Sequence, residues 1–405
     1  MDLIELRREK LQLGLVLGYT LRDEKGAILL AKGHRIETPH QLEGLRSRSK
    51  IFVEIDESEE GIRAMMGGIV TLNQMGAPIK DFSKHLNLTL DSPVEEILTG
   101  SFAERWGTVE SKLAGLLGSL GTTTEVENKL YFLDTCIQRL LAENKAGSQF
   151  LLINRAVTHF SGYSVLHSLL CATLVQLLAD LFKLTEEERR SLVCAALTMN
   201  VAMTRLQDTL TLQKNTLSVH QRQEVEEHPE KGRKMLQDAG INDPQWLEII
   251  ALHHATLEGP ETLSEWTPVQ RMTKILQTVD RFTAAMSPRK SRSGRTARDS
   301  VLSVVVKTGT TKHDEVGTAL VRILGVSPPG TFVKLANGET AVVLRRGVKP
   351  NEPLVGSVLN KNDDPIAEPR LRDASLEAYV IQSTLVATSV RVSLRIDAML
   401  GMIPK

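Results

Sequence analysis

The spacing of hydrophobic residues changes twice along the chain. In residues 1–60 short apolar runs such as "LGLVLGYTLRD" and "GAILLAKGHRI" are separated by the turn signal "DEKG", and "KIFVEID" follows. Such runs bounded by turn residues predict strands. Thr38 and Pro39 stand where a short helix between these strands would begin, because proline is favoured at the first helical position.

Beyond residue 61 the period changes from two toward 3.6. The segments 102–120 and 127–144 carry apolar residues every three or four positions, which predicts amphipathic helices. Residues 151–325 continue as helical segments, one of which begins with Thr185 and Glu188 in the spacing of a capping box. The stretch "CAALTMNVAMTRLQDTL", residues 194–210, is interpreted as a buried helix.

After Gly325 the pattern returns to β, and Asn337-Gly338 between alternating runs predicts a hairpin. The last stretch, 377–396, fits either strands or a helix. The predicted fold class is therefore mainly α, a helical bundle flanked by small β-rich units at both ends. The predicted domains are a β-rich N-terminal domain (1–60), a helical connecting region (61–150), a helical domain (151–325) and a β-rich C-terminal extension (326–405).

Composition narrows the class of protein. A chain of 405 residues exceeds one ordinary domain, and a formal net charge of zero does not favour nucleic acid or an anionic membrane surface. The most apolar run, 168–182, contains Gln176 and Asp180, so we expect a core helix and no membrane span. The three cysteines lack metal-type spacing; we interpret Cys171 and Cys194 as small buried thiols, which suits a reducing cytoplasm.

Histidines and one carboxylate form the strongest candidate site. His253 and His254 are adjacent on a predicted helix, His228 precedes a proline, His167 lies in another helix, and Asp280 interrupts the apolar stretch "ILQTVDRF". A buried carboxylate is costly unless it is paired or binds a cation. Several imidazoles and a carboxylate on packed helices suit a divalent metal.

Each of these residues also has a simpler interpretation. A single histidine on a helix is more often an ordinary core or surface residue. Asp280 can instead cap a helix or pair with Arg271 or Arg281. Only the joint occurrence of these residues points to a metal.

The order of these motifs resembles the HD-GYP family, bacterial relatives of the HD phosphohydrolases. The matching segments are "YSVLHS", an apolar helix, "HP", "HH" and "VDRFTAAMSPRKSR", over roughly residues 150–325. The resemblance implies a helical bundle that hydrolyses cyclic di-GMP at a centre of two iron or two manganese ions. Carried over by position, it implies as metal ligands His167, His228, His253, His254 and Asp280, with Tyr163 nearby.

The sequence departs from the family pattern at the positions that carry the chemistry. Met199-Asn200 replaces the His-Asp pair, and Met203 replaces a lysine three residues later. Ala255 replaces a glutamate after the histidine pair, Thr283 replaces an acidic residue, and the Gly-Tyr-Pro signature is absent. We therefore assign no catalytic residue.

These losses have a physical consequence. In the family the missing aspartate bridges both ions, so four neutral imidazoles and Asp280 would leave two divalent ions largely uncompensated. Losing one preorganised donor such as the lysine typically costs about 2.7–4 kcal/mol of transition-state stabilisation. The resemblance implies iron or manganese, and a site with no metal is the alternative. Met199 and Met203, four apart on the expected helix, are interpreted as apolar filling of the vacated pocket.

The run "SPRKSRSGRTAR" is basic, and Arg289 and Arg292 match family positions, so we assign them as candidate phosphate-binding residues. A solvated flexible loop is the simpler interpretation.

Three functions follow. The first is a degenerate signalling module that binds a cyclic dinucleotide or a protein partner without efficient hydrolysis. The second is a divergent metal-dependent phosphodiesterase. The third is a scaffold with an inert core, as the similar HDOD domains are thought to be.

Overall fold

A computed structural model shows two compact units, residues 1–88 and 89–405, which are described separately. The predicted division into four parts remains a prediction. Parts of the predicted first strand and of the connecting region lie outside the described residues. The structure describes residues 3–6, 20–23, 26–31, 34, 36, 38–48, 51–54, 98–260, 262–291, 294–305 and 314–404.

The N-terminal unit contains a small antiparallel sheet and one helix. Thr38 caps the helix by accepting a hydrogen bond from the Gln41 backbone N–H, and Pro39 is the first helical residue, as predicted. The sheet has the strand order β1-β4-β2-β3, and Leu21, Ile36 and Ile51 are buried in its core. The elements are β1 (Leu3–Leu6), β2 (Leu21–Arg22), β3 (Ile28–Leu30), α1 (Pro39–Arg46) and β4 (Ile51–Glu54).

Helices dominate the second unit through residue 324. Capping boxes at Ser101, Thr185 and Ser218 satisfy the first free N–H groups of three helices. The elements are α2 (Phe102–Gly118), α3 (Val126–Glu143), α4 (Lys145–Thr158), α5 (Tyr163–Ala179), α6 (Glu186–Thr198), α7 (Thr204–Leu212), α8 (Val219–Asp238), α9 (Pro244–Leu252), α10 (Pro268–Met286), α11 (Ala297–Val305) and α12 (Glu315–Leu324).

Helix α5 lies at the centre of this bundle. All but one of its residues are buried, including Cys171, so the helix is covered on every side. Around it, buried ion pairs join neighbouring helices: Arg189 of α6 binds Asp134 of α3 with two hydrogen bonds, of 2.8 and 2.6 Å. Paired charges of this kind are costly to break, because either partner alone would be left desolvated.

The expected buried helix over 194–210 is not continuous. Helix α6 ends at Thr198, Asn200 leaves helical geometry (φ −106°, ψ 15°), and a 3-10 turn over Val201–Met203 precedes α7. Met199 and Met203 therefore do not share the face of one α-helix, which corrects the sequence interpretation. Hydrophobic periodicity did not reveal the break, because both sides of it are apolar.

A five-stranded antiparallel sheet, in the order β8-β7-β6-β5-β9, follows the helices. The predicted Asn337-Gly338 hairpin joins β5 to β6; Gly338 adopts φ 85°, and the Asn337 side chain accepts from the Glu339 N–H. The ambiguous segment 377–396 contains one strand and two short 3-10 turns. The elements are β5 (Phe332–Leu335), β6 (Thr340–Arg345), β7 (Leu354–Leu359), β8 (Pro365–Asp373), β9 (Ile381–Leu385) and α13 (Ile396–Gly401).

This sheet packs on the helices through α4. Phe150 of α4 is fully buried among Phe332, Val342 and Leu344. Gly330 adopts φ 85°, and a Cβ there would lie 2.5 Å from the Asn154 backbone nitrogen. Glycine is therefore required where the chain crosses α4, and the Asn154 amide donates to the Gly330 carbonyl at 2.9 Å.

The fold class predicted from sequence is confirmed: a helical bundle with a small antiparallel sheet toward each end of the chain. None of the described helices is long and apolar enough to cross a membrane.

Candidate metal centre

Four elements bring the five predicted ligands into two adjoining groups. His167 lies in the second turn of α5, His228 in the interior of α8, and Asp280 in α10. His253 and His254 directly follow Leu252, the last residue of α9. The histidine pair was predicted on the helix itself, so the structure shifts it to the helix end, where side chains can turn toward a neighbouring helix.

We name His228, His253 and His254 the imidazole cluster. The Nε2 atoms of His228 and His253 lie 3.0 Å apart, and both residues are buried. His254 is exposed, with its ring 4.2 Å from that of His253 between centroids. One ligand atom from each residue lies within 4.8 Å of the others. Imidazole nitrogens bound to one ion at ~2.0–2.1 Å lie about 3.0–3.4 Å apart, so the buried pair has a suitable spacing.

The protonation of this pair follows from its hydrogen bonds. His228 Nδ1 lies 2.6 Å from the Val225 carbonyl, and His253 Nδ1 lies 2.6 Å from the Ile250 carbonyl. Since a carbonyl only accepts, each Nδ1 carries the hydrogen, and in a neutral ring each Nε2 is then an acceptor. Burial lowers the pKa of His228 to about 4 and that of His253 to about 3. The rings stay neutral at pH 7, with two lone pairs facing each other.

We name the second group, built around a different histidine, the His167 network. His167 Nε2 lies 2.8 Å from Asp280 Oδ1 and 3.8 Å from Cys171 Sγ. On the other edge of the ring, Nδ1 lies 3.3 Å from the Thr283 hydroxyl and 3.4 Å from the Tyr163 hydroxyl. The network therefore consists of His167, Asp280, Cys171, Thr283 and Tyr163.

The two groups differ in charge. Burial alone would raise the pKa of Asp280, but the His167 partner lowers it to about 2. Burial alone would lower the pKa of His167, yet Cys171, Tyr163 and Asp280 together raise it well above the ordinary value. His167 and Asp280 thus form an imidazolium–carboxylate pair. The alternative pairing of Asp280 with Arg271 is not seen, because Arg271 binds Glu188.

The degenerate positions lie at the break between α6 and α7. Met199 is fully buried, Asn200 is 5% exposed, and Met203 is half-buried. The Asn200 Oδ1 atom is buried and has no hydrogen-bond partner among the described residues. A buried unpaired carbonyl oxygen is unfavourable. A bound cation or a hydrogen-bond donor would satisfy this oxygen.

One of the two candidate phosphate-binding residues can be placed. The Arg289 guanidinium lies over the Tyr163 ring, 5.7 Å from its centroid, and that ring in turn stacks on His167. Arg289 is half-buried, and its Nε makes no hydrogen bond among the described residues. Arg292 lies outside the described residues.

The sequence interpretation missed two contributors. Asp208 of α7 accepts from the backbone N–H and the hydroxyl of Ser164, at 2.8 and 3.0 Å. It thereby supplies the cap that Gly162 cannot provide to α5. Cys171 follows His167 by four positions on one helix face, a spacing that signals contact, but the cysteine was interpreted only as a buried thiol.

Part of the chain matches a family model, and the structure resembles one solved protein. Residues 148–315 match the family model described as HD domain. This segment is similar to an HD domain, as the sequence resemblance predicted. The structure also resembles Bd1817, an HDG"Y"P protein from Bdellovibrio bacteriovorus, at 13% identity over 79% of this chain and 98% of that chain, with a TM-score of 0.44. The search of curated proteins found no match.

The residues of the HD domain fit a metal ion on two grounds. With Nδ1 of each ring facing a carbonyl, the Nε2 atoms of His228 and His253 face each other as acceptors. Asn200 Oδ1 has no donor among the residues that the structure describes. A cation satisfies acceptors of this kind, and neutral imidazole is a common ligand of iron, zinc and copper.

Proposed function

We propose that this HD domain is a degenerate HD-GYP signalling module that binds a cyclic dinucleotide and does not hydrolyse it efficiently. The observation that carries the proposal is Asn200, whose neutral amide stands where the family has a bridging aspartate. It is buried, and its carbonyl oxygen has no hydrogen-bond partner in the described part of the chain. A neutral amide offers one oxygen and no negative charge, so it cannot hold two divalent ions together.

The remaining ligands suffice for an ion but not for the family's chemistry. The imidazole cluster would hold a metal through neutral nitrogens, with iron or manganese as the ions that the resemblance implies. A bound metal supplies Lewis acidity toward a phosphoryl oxygen. The single carboxylate, Asp280, is already paired with His167, so little charge is left to compensate a second ion.

Arg289 supports an anionic ligand. Its guanidinium is held against Tyr163 beside the His167 network, and the side chain is only half-buried. Guanidinium groups bind phosphates with charge-assisted hydrogen bonds. A cyclic dinucleotide, with two phosphates, is an anion that such a guanidinium group would bind. Three buried free thiols suit a reducing compartment, for which we propose the cytoplasm.

The second candidate is an active, divergent metal-dependent phosphodiesterase. It is favoured by the imidazole cluster, because the buried Nε2 atoms of His228 and His253 lie 3.0 Å apart, a spacing that suits two ligands of one ion. The third candidate, a scaffold that docks a protein partner, requires neither metal nor nucleotide.

Hydrolysis of cyclic di-GMP separates the first two candidates. With Mn²⁺, and with Fe²⁺ under anaerobic conditions, we expect no turnover above a metal-only control. Turnover that disappears in His253→Ala would establish the enzyme and overturn the proposal.

Calorimetric titration with cyclic di-GMP then separates the ligand-binding module from the scaffold. We expect binding by the wild type and weaker binding by Arg289→Ala, while Arg298→Ala, an exposed arginine of the same basic run, serves as the matched control. Absence of binding by folded wild type would favour the scaffold.

Restoring the family residues tests the positional assignment. Met199→His combined with Asn200→Asp should raise the metal content per chain, because it adds an imidazole and a carboxylate. Asn200→Leu, which has similar volume and no acceptor, controls for repacking. Unchanged metal content in a folded double variant would show that the assignment is wrong.

A further inference from the structure

Asp208 of α7 is a carboxylate that is not among the predicted metal ligands. Its two oxygens accept hydrogen bonds from the backbone N–H and the hydroxyl of Ser164, at 2.8 and 3.0 Å. Ser164 is buried and lies in the first turn of α5. The carboxylate therefore uses both of its oxygens to bind one buried residue of a neighbouring helix.

Helix α5 depends on this contact, because the residue before it supplies no cap. Gly162 adopts φ 65° and has no side chain that could accept a hydrogen bond. The first N–H groups of a helix have no partner within the helix, and a negative charge at this end also interacts favourably with the helix dipole. Asp208 thus fixes the first turn of α5 from a position 44 residues further along the chain.

The turn that Asp208 fixes carries Tyr163. The buried Tyr163 ring stacks on His167 with 5.2 Å between the ring centroids, and the Arg289 guanidinium lies over it at 5.7 Å. A guanidinium is attracted to the face of an aromatic ring at such a distance. The position of Tyr163 therefore affects where the Arg289 guanidinium lies.

A second contact from α7 holds the loop that contains Arg289, residues 287–291, which we name the Arg289 loop. The Lys290 backbone N–H donates to the Thr211 carbonyl at 2.8 Å. Thr211 lies in the last turn of α7, where carbonyl groups have no partner within the helix. Asp208 and Thr211 are three positions apart, so they lie on the same side of α7. One turn of α7 therefore contacts both of the segments that meet where Arg289 covers Tyr163.

We propose that Asp208 is a positioning residue for anion binding. Together with the Thr211 carbonyl, it holds the first turn of α5 and the Arg289 loop in a fixed relation, which places the Arg289 guanidinium for a phosphate group. The identity of the anion rests on the proposed function, in which the ligand is a cyclic dinucleotide. Asp208 itself contacts neither the ligand nor a metal in this proposal.

Hydrogen exchange of the ligand-free protein, followed by mass spectrometry, tests whether Asp208 holds both segments. In Asp208→Ala we expect faster exchange in peptides that cover the start of α5 and in peptides that cover the Arg289 loop. Asp314→Ala is the matched control, because Asp314 caps a different helix, α12, through two backbone N–H groups; exchange in the Arg289 loop should not change. An Arg289 loop with unchanged exchange in Asp208→Ala would overturn the proposal.

Calorimetric titration with cyclic di-GMP measures the consequence for the ligand. We expect Asp208→Ala to weaken binding about fivefold, the factor that corresponds to loss of a typical helix cap. Asp208→Asn keeps an acceptor for the Ser164 N–H and should recover most of the affinity. In an Arg289→Ala background, Asp208→Ala should have no further effect, because Asp208 acts through Arg289. Equal weakening in both backgrounds would contradict the proposal, since a general structural role would act in both.

Two outcomes need a separate interpretation. Should Asp208→Ala misfold, Ser164→Ala removes only the hydroxyl bond, and we expect a smaller change of exchange in the same direction; an unchanged Arg289 loop would then count against the proposal. A folded wild type that does not bind cyclic di-GMP would refute the proposed function. The exchange measurement would still decide whether Asp208 positions the Arg289 loop, because it requires no ligand.

Discussion

The imidazole cluster and the His167 network adjoin each other but satisfy their polar atoms in opposite ways. In the cluster, His228 and His253 point two acceptor nitrogens at each other across 3.0 Å. In the network, the His167 imidazolium donates to the Asp280 carboxylate at 2.8 Å and to hydroxyls on its other edge. Donors alternate with acceptors in the network, and acceptors face each other in the cluster.

This difference separates the part of the site that is stable by itself from the part that requires a cation. Buried polar groups that are fully hydrogen-bonded can stabilise a core, whereas an unpaired group costs about 1–3 kcal/mol. The network should therefore contribute to folding without a metal. The cluster should oppose folding without a metal and contribute only when one is bound.

The largest expected effect concerns the network. In buffer with a chelator, Asp280→Ala should lower the free energy of unfolding by about 3 kcal/mol, because removing one member of a buried ion pair leaves the other uncompensated. Urea denaturation measures this change. Asp238→Ala, which removes an exposed pair with Lys234, should have little effect. Equal effects of the two substitutions would show that the network does not stabilise the fold.

The next effect is the dependence of the cluster on pH. Because the folded pKa values of His228 and His253 are about 4 and about 3, below the ordinary 6.5, the unfolded chain binds more protons. The contribution of these two histidines to the free energy of unfolding is therefore fully present above pH 6.5 and is lost as pH falls toward 4. Between pH 6.5 and 5 the protonation of each histidine should lower the free energy of unfolding by about 1–2 kcal/mol. Urea denaturation in buffer with a chelator measures this change. Burial also lowers the pKa of His159. Subtracting the pH–stability curve of His253→Leu from that of the wild type removes this shared contribution.

His167 should behave in the opposite sense. Its folded pKa is raised, so its contribution to the free energy of unfolding is complete below pH 6.5 and lost as pH rises through the folded value.

The His253→Leu comparison also tests the assignment of neutral imidazoles in the cluster. A wild type that loses stability at acidic pH by no more than His253→Leu does would contradict that assignment.

The smallest effect should come from removing the opposed nitrogens. In chelator, His253→Leu should unfold within ~1 kcal/mol of the wild type, because an apolar side chain of similar size replaces an unsatisfied acceptor. With Mn²⁺ added, the wild type should gain thermal stability and the variant should gain less, which differential scanning fluorimetry measures. A loss of several kcal/mol in chelator would mean that the cluster is stabilising without a metal.

Local signals in the sequence predicted much of this architecture. Thr38 and Thr185 cap helices as their spacing indicates, and the Asn337-Gly338 turn forms the predicted hairpin. These features depend on neighbouring residues and on backbone preferences that any context preserves. The break at Asn200 was not predicted, because apolar residues on both sides of it satisfy a helical period equally well.

The candidate site was predicted only in part. The sequence identified the histidines and Asp280, but it could not show that Asp280 prefers His167 to Arg271, a choice that depends on how α5 and α10 pack. It likewise could not show that Cys171 faces the same nitrogen as Asp280.

By itself, the sequence determined the helical bundle, its small sheets and the residue types available for a metal, because periodicity, caps and turns act over a few positions. Only the tertiary structure decided which of those residues face one another. Hydrogen bonds and charges depend on distances of a few ångströms between helices that lie far apart along the chain. Those distances make one histidine a cation bound to a carboxylate and two others neutral acceptors.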